Sequence, residues 1–210
     1  IEHIKTPLPE LFNRFGLSAD GLKHIVRTIE SGLRKQGMTD LQLATFFLHM
    51  ECIRKTRVRY LSSLHQFDLK VFGNPDWELL LRDTPVSHAF QKRPLSPDEC
   101  RDLYRTAAIS LNIHSPFLHS GPNLRDIDVP MCGGFVLSDL HLHAGERIRE
   151  FFEPGGEIAL YEREHDLPER VGYYLAHPEE RKSITQAAQQ RIKRDYNYRD
   201  RVKEMLARAS

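Results

Sequence analysis

The sequence predicts an α/β protein, an open parallel sheet flanked by helices, with a helical segment in front of it. Three observations lead there. From Phe67 onward, short apolar runs alternate with segments of helical period, the pattern of βαβ units. The runs are separated by ten or more residues rather than by two-residue turns, so neighbouring strands are parallel and not hairpins. A chain of 210 residues is long enough to bury the core such a sheet needs.

The elements follow in order. Ser18 caps a predicted helix in which Leu22, Ile25, Val26, Ile29 and Leu33 recur at helical spacing, and Gly37 ends it. Thr39 with Gln42 three residues on is a capping-box pattern, opening a second helix through Ile53 and Tyr60 to about Leu64. Phe67–Gly73 alternates and stops at glycine, as a strand does, and Val86–Phe90 reads as another short strand, with a short helix at Trp77–Leu81 between them. Ser96-Pro97-Asp98-Glu99 is a strong helix start, and Ala108–Ile113 is the next strand. Asn123–Met131 reads as a helix, Gly134–Ser138 as a strand, Glu146–Phe152 as a helix and Glu157–Tyr161 as a strand. Asp166, with Glu169 at the third position, is expected to cap a helix bearing Leu167, Val171, Tyr174 and Leu175. From Pro178 the chain is charge-rich and helical, with Ile184, Ala187, Ile192 and Val202 as its apolar anchors. These features divide the chain into a helical segment at 1–64, a sheet domain of about five strands at 65–178, and a helical tail at 179–210.

Composition removes several classes of function. A formal net charge of +1 gives no electrostatic footprint for nucleic acid, and the basic residues of the tail are interleaved with acids as on a solvated helix face. No apolar run approaches the roughly 18 residues of a membrane span. Glu2, His3 and Lys5 leave no room for a leader's apolar region, and the start at Ile1 rather than Met reads as a segment of a longer protein. Three widely spaced cysteines, Cys52, Cys100 and Cys132, suit a reducing compartment, so the cytoplasm is expected. His141 and His143 near Asp139 are a poor fit to closed zinc spacing, and no metal is expected.

Ligands of open α/β sheets sit outside the carboxyl ends of the strands, here in the loops after Gly73, Phe90, Ile113, Ser138 and Tyr161. The loop running from His114 to Arg125 stands out. It is long, contains Gly121 and Pro122, and leads straight into a helix. A helix N-terminus, with unpaired N–H groups and positive dipole, suits a diphosphate, and Arg125 in the first turn adds a charge-assisted contact.

Leu103-Tyr104, Ser110-Leu111-Asn112-Ile113-His114, Gly121-Pro122-Asn123-Leu124-Arg125, Cys132–Asp139 and Tyr173-Tyr174-Leu175 follow one another in order. That series resembles the C-terminal, donor-binding domain of the CgeB-like glycosyltransferases, a GT-B group related to the glycosyl transferases group 1 family. The resemblance takes in Phe151, Glu157-Ile158 and the tail as well, about the last two thirds of the chain. It implies a Rossmann-like sheet, the C-terminal half of a GT-B fold, that binds a nucleoside-diphosphate sugar without a metal or other cofactor. Arg125 matches the family's arginine. Asp128 stands where the family normally has Glu, one methylene longer, and is implied to accept hydrogen bonds from the donor ribose. His114, Gly121 and Asn123 fall in the donor loop, and Gln91, Lys92 and Arg93 match the loop that holds the nucleobase. Gly133 and Gly134 let backbone pass close to the ligand or pack helix against strand. The acceptor is implied to bind an N-terminal domain of the same protein that these residues lack, which would leave them inactive alone.

Plainer readings stand beside these. His114 also suits a satisfied buried histidine, Arg125 a surface pair with Asp126 or Asp128, Gly121 and Asn123 ordinary turn chemistry, and Cys132 a small buried residue. A non-catalytic nucleotide-binding or scaffolding module of the same fold is the alternative function.

Overall fold

The computed structural model describes residues 34–115, 122–140, 145–196 and 198–209. The helix expected from Ser18 lies almost wholly outside them, as do Gly121, His141 and His143. The chain divides into two compact units, Ile1–Ser62 with Asp68–Lys92, and Ser63–Phe67 with Arg93–Ser210.

In the first unit the backbone turns at Gly37, whose φ of 83° suits a residue without a Cβ. Helix α1 (Asp40–Ser62) follows. Its capping box forms as expected: the Gln42 side chain accepts from the Thr39 N–H at 2.8 Å, and Thr39 Oγ1 accepts from the Gln42 N–H. α2 (Asp76–Leu81) packs on α1, and Leu43, Leu81 and Val86 are fully buried.

Two expected strands are not strands. Phe67–Gly73 contributes only an isolated parallel bridge, in which the Val71 N–H donates to Ala89 O and Val71 O accepts from Gln91. Val86–Phe90 instead contains a 3-10 helix, Ser87–Ala89. Its buried residues Val86, Ala89 and Phe90 are spaced three and one apart. That spacing suits a helical turn, not a period of two.

The second unit holds the sheet. Ser96 caps α3 (Pro97–Thr106) through a complete capping box with Glu99. Then come β1 (Ser110–Asn112), α4 (Leu124–Met131), β2 (Val136–Asp139), α5 (Gly145–Phe151), β3 (Ala159–Tyr161), α6 (Leu167–Ala176), α7 (Pro178–Asp195) and α8 (Tyr198–Ala209). The three strands pair in parallel in the order β1-β2-β3, with Asn112 opposite Ser138 and Asp139 opposite Tyr161. β2 is buried along its whole length, as the middle strand of a helix-covered parallel sheet must be. Val129, Val136, Ile148, Phe152, Ile158 and Ile192 form one apolar cluster, uniting α4, β2, α5, the approach to β3, and α7.

Two local expectations change in this unit. α6 starts where expected, but Asp166 has helical dihedrals and caps nothing; its carboxylate pairs with His165 at 3.0 Å instead. In α7 the buried positions are Ile184, Thr185, Ala188 and Ile192, so Ala188 and not Ala187 faces the core, while Val202 in α8 is exposed. No helix among the described residues is long and apolar enough to cross a membrane.

Gly134 explains itself by contact. A Cβ built there would lie 2.1 Å from the Tyr104 carbonyl oxygen and 3.1 Å from Val129 Cγ1, so α3 reaches the start of β2 only because the side chain is missing. Gly134→Ala should lower the unfolding free energy by about 3 kcal/mol, as overpacking against rigid backbone does. Urea denaturation checks this, and a loss below about 0.5 kcal/mol would mean that α3 yields freely.

Candidate functional site

Parallel pairing sets the site. Asn112 ends β1 and Ser138 lies opposite it on β2, so their side chains leave the same face at the same level. Both are fully buried, and so are His114, Asp126 and, nearly so, Asp139. Five polar side chains out of water must satisfy one another. Asp126 Oδ1 accepts from Asn112 Nδ2 at 2.7 Å and from Ser138 Oγ at 2.7 Å. Its Oδ2 accepts from the Asn123 N–H at 3.0 Å and faces His114 Nε2 at 2.9 Å. The second His114 nitrogen, Nδ1, meets Asp139 Oδ1 at 2.5 Å, and the same oxygen accepts from the His114 N–H. From β3, the Tyr161 hydroxyl donates to the Asn112 carbonyl at 3.1 Å.

Both ring nitrogens of His114 face carboxyl oxygens, and with both carboxylates ionised the two contacts are hydrogen bonds only when the ring carries both protons. Burial opposes that charge. The hydrogen bonds to Asp126 and Asp139, with the negative charge of the two carboxylates, outweigh it and raise the imidazole from 6.5 to about 9. At neutral pH the site contains a buried imidazolium clamped between α4 and the end of β2.

The same network fixes the start of α4. Asn123 is its N-cap, with Oδ1 accepting from the Arg125 N–H at 2.8 Å while Asp126 closes the capping box. Asn123 Nδ2 donates to Asn112 Oδ1 at 3.0 Å. The helix thus satisfies the Asn123 and Arg125 N–H groups with its own side chains. The positive end of the dipole remains, and so does the Arg125 side chain.

The expected site residues divide into groups. His114, Asn123 and Arg125 come together at the carboxyl end of the sheet. His114 is an interior residue with both nitrogens engaged, so its ring has no free nitrogen for a ligand. Arg125 is exposed, its Nη1 3.4 Å from Asn112 Oδ1, and among the described residues it forms no ion pair with Asp126 or Asp128. Asp128 lies on the exposed side of α4. Gly133 and Gly134 lie at the opposite, amino end of β2, where Gly133 supplies a left-handed backbone with a φ of 90° and Gly134 a close packing under Tyr104. Gln91 and Lys92 belong to the first unit, where Lys92 has a φ of 56° and pairs with Glu78. Arg93 belongs to the second and pairs with Glu99.

From the sequence Asp126 reads only as a surface partner of Arg125 and Asp139 only as a neighbour of His141 and His143, whereas both are buried, and Asn112 and Ser138 have no assigned role there. The available signals were polar residues ending apolar strands, in Ser-Leu-Asn-Ile-His and Val-Leu-Ser-Asp, and an acid three residues after a capping Asn.

The model of the glycosyl transferase-like family matches residues 54–207. The chain belongs to this family. Its structure is similar to that of sucrose-phosphate synthase from Thermosynechococcus elongatus, with a TM-score of 0.55 at 15% identity, over 73% of this chain and 43% of that one. That likeness shows the fold, the Rossmann-like half of a GT-B protein, and the chain spans less than half of the synthase's length. No curated protein sequence matches it. For this glycosyl transferase-like domain the buried network makes a pH prediction. His114 is raised on folding, so its stabilisation is full below the unfolded value of 6.5 and is lost as pH rises through about 9. Between those limits the wild-type chain should lose up to about 3 kcal/mol of unfolding free energy that His114→Gln does not lose, measured by denaturation at a series of pH values.

Proposed function

We propose that this domain holds the donor of a glycosyl transfer, a nucleoside-diphosphate sugar, at the carboxyl ends of β1 and β2. The observation that carries the reading is the buried polar cluster at that end of the sheet, which anchors the first turn of α4 while leaving the Arg125 side chain exposed at its edge. Arg125 and the positive end of the α4 dipole face the diphosphate, and Asp128 accepts from the ribose hydroxyls. In the reaction the bond from the sugar's anomeric carbon to the phosphate oxygen breaks as an acceptor oxygen bonds to that carbon. The nucleoside diphosphate departs with the electron pair, and Arg125 with the dipole stabilises the negative charge that builds on it. On this reading no metal is required, and the acceptor comes from a second Rossmann-like domain, without which these residues bind donor but do not turn it over. The free thiols of Cys52, Cys100 and Cys132 suit action in the reducing cytoplasm.

Thermal shift and calorimetry of the full-length protein against UDP-, GDP-, ADP- and TDP-sugars test this directly. One nucleotide class should stabilise the protein in the presence of a chelator, and Arg125→Ala and Asp128→Ala should each weaken that ligand about tenfold, the worth of one charge-assisted hydrogen bond. Absence of stabilisation by all four would sink the donor-site reading.

A further inference from the structure

α4 is short, and its first turn is held to the sheet almost entirely by polar contacts. Asn123 reaches Asn112 on β1, and Asp126 reaches Asn112 on β1 and Ser138 on β2. His114 adds to these the contact that joins the two buried carboxylates, one on α4 and one on β2. Its ring spans Asp126 on α4 and Asp139 at the end of β2, and its own N–H is bonded to Asp139 as well. With the direct Ser138–Asp126 bond, the ring sets the distance and angle between the α4 amino end and the β2 carboxyl end, the two edges between which a donor would lie.

We infer that His114 is a positioning residue for the donor site, acting through Asp126 and Asp139 to set where α4 presents Arg125. The inference rests on the donor-site reading for its functional consequence, but its structural content stands apart from it. The groups that face the ring nitrogens are Asp126 from α4 and Asp139 from β2, and beyond them Asn112 is bonded to Asp126, to the hydroxyl of Tyr161 and to Arg125. Nothing in this set can replace a bridging double donor. A neutral ring donates from one nitrogen only and turns a lone pair toward the other carboxylate, so one bridge bond is lost and the α4 amino end rests on the neutral Asn112 and Ser138 bonds.

The arrangement is not explained by stability alone. A buried ionic cluster costs desolvation that well-packed apolar side chains of the same volume avoid, whereas apolar side chains do not fix direction. Two bonds at opposite nitrogens of a planar ring do fix it, in distance and in angle.

Two measurements on the full-length protein test this. The first is a double-variant cycle on binding of UDP, GDP, ADP and TDP. His114→Gln and Arg125→Ala should each raise Kd about tenfold, while the pair should raise it clearly less than the increase of about a hundredfold that independent sites give, because part of the His114 effect runs through the guanidinium that Arg125→Ala removes. Full additivity would overturn the inference, since a merely structural role has no reason to depend on Arg125. The second is amide hydrogen exchange, which needs no ligand. In His114→Gln the N–H groups of Asn123, Arg125 and Asp126 should exchange at least about tenfold faster while that of Leu137 in β2 is unchanged. If no nucleoside diphosphate binds the wild type, the donor reading fails and exchange still decides the positioning role. Should His114→Gln not fold, the wild type between about pH 7 and about pH 10 gives the same comparison, with local exchange, corrected for its intrinsic pH dependence, accelerating selectively as the ring loses its proton. Uniform acceleration, or none, overturns the inference.

Discussion

The imidazolium of His114 between two buried carboxylates is the constraint from which the rest of the carboxyl end of the sheet follows. An ionised group inside a protein is tolerable only when it is paired and its remaining hydrogen-bonding capacity is used. Asp126 shows what that demands. With Oδ2 committed to His114 and to the Asn123 N–H, Oδ1 requires donors of its own, and only side chains rising from the strands beneath can supply them. Asn112 and Ser138 do so, which is why two interior strand positions are polar. Their placement side by side requires the observed parallel register of β1 on β2, so the charge at the centre and the pairing of the strands specify one another.

The amino end of the same strands obeys another rule. There the backbone of α3 presses on Gly134, and the Thr185 hydroxyl donates to the Gly134 carbonyl at 3.3 Å. The tight contact there is backbone on backbone, with one neutral hydroxyl bonded beside it. One sheet thus combines a close-packed end that sets the helix spacing and a polar end whose geometry is set by directional bonds. The second is the end from which βα loops emerge, where ligands of such sheets bind.

Much of this was legible in the sequence. The parallel α/β class, the cap residues Thr39 and Ser96, and the three strands of the sheet all follow from period and capping chemistry, since those are local properties. Val86–Phe90 failed because a run of five residues too short to show its period was read by composition alone. Asp166 failed because its side chain has a competing partner one residue away, which a spacing rule does not see. At the site, the loop before Arg125 stood out by its length and glycine. Asp126 did not, because an acid in the first turn of a helix has the same letter pattern whether it faces water or the interior. What decides between them is the pairing of β1 with β2, a contact between residues 26 apart in sequence, which is a tertiary fact.

The orientation of α4 resolves how one short helix can serve both purposes. At about 100° per residue, positions two apart lie on nearly opposite faces and positions three apart lie close together. Asn123 and Asp126 therefore share the inward side, with Val129 continuing it into the apolar core. Arg125 and Asp128, also three apart, share the outward side, and both are exposed. The buried acid and the exposed acid are thus separated by helical geometry alone. Because His114 holds the inward pair, and the helix is rigid over one turn, fixing Asp126 fixes the direction in which Arg125 and Asp128 project. A burial pattern that would otherwise concern stability alone becomes a device for aiming two exposed charges.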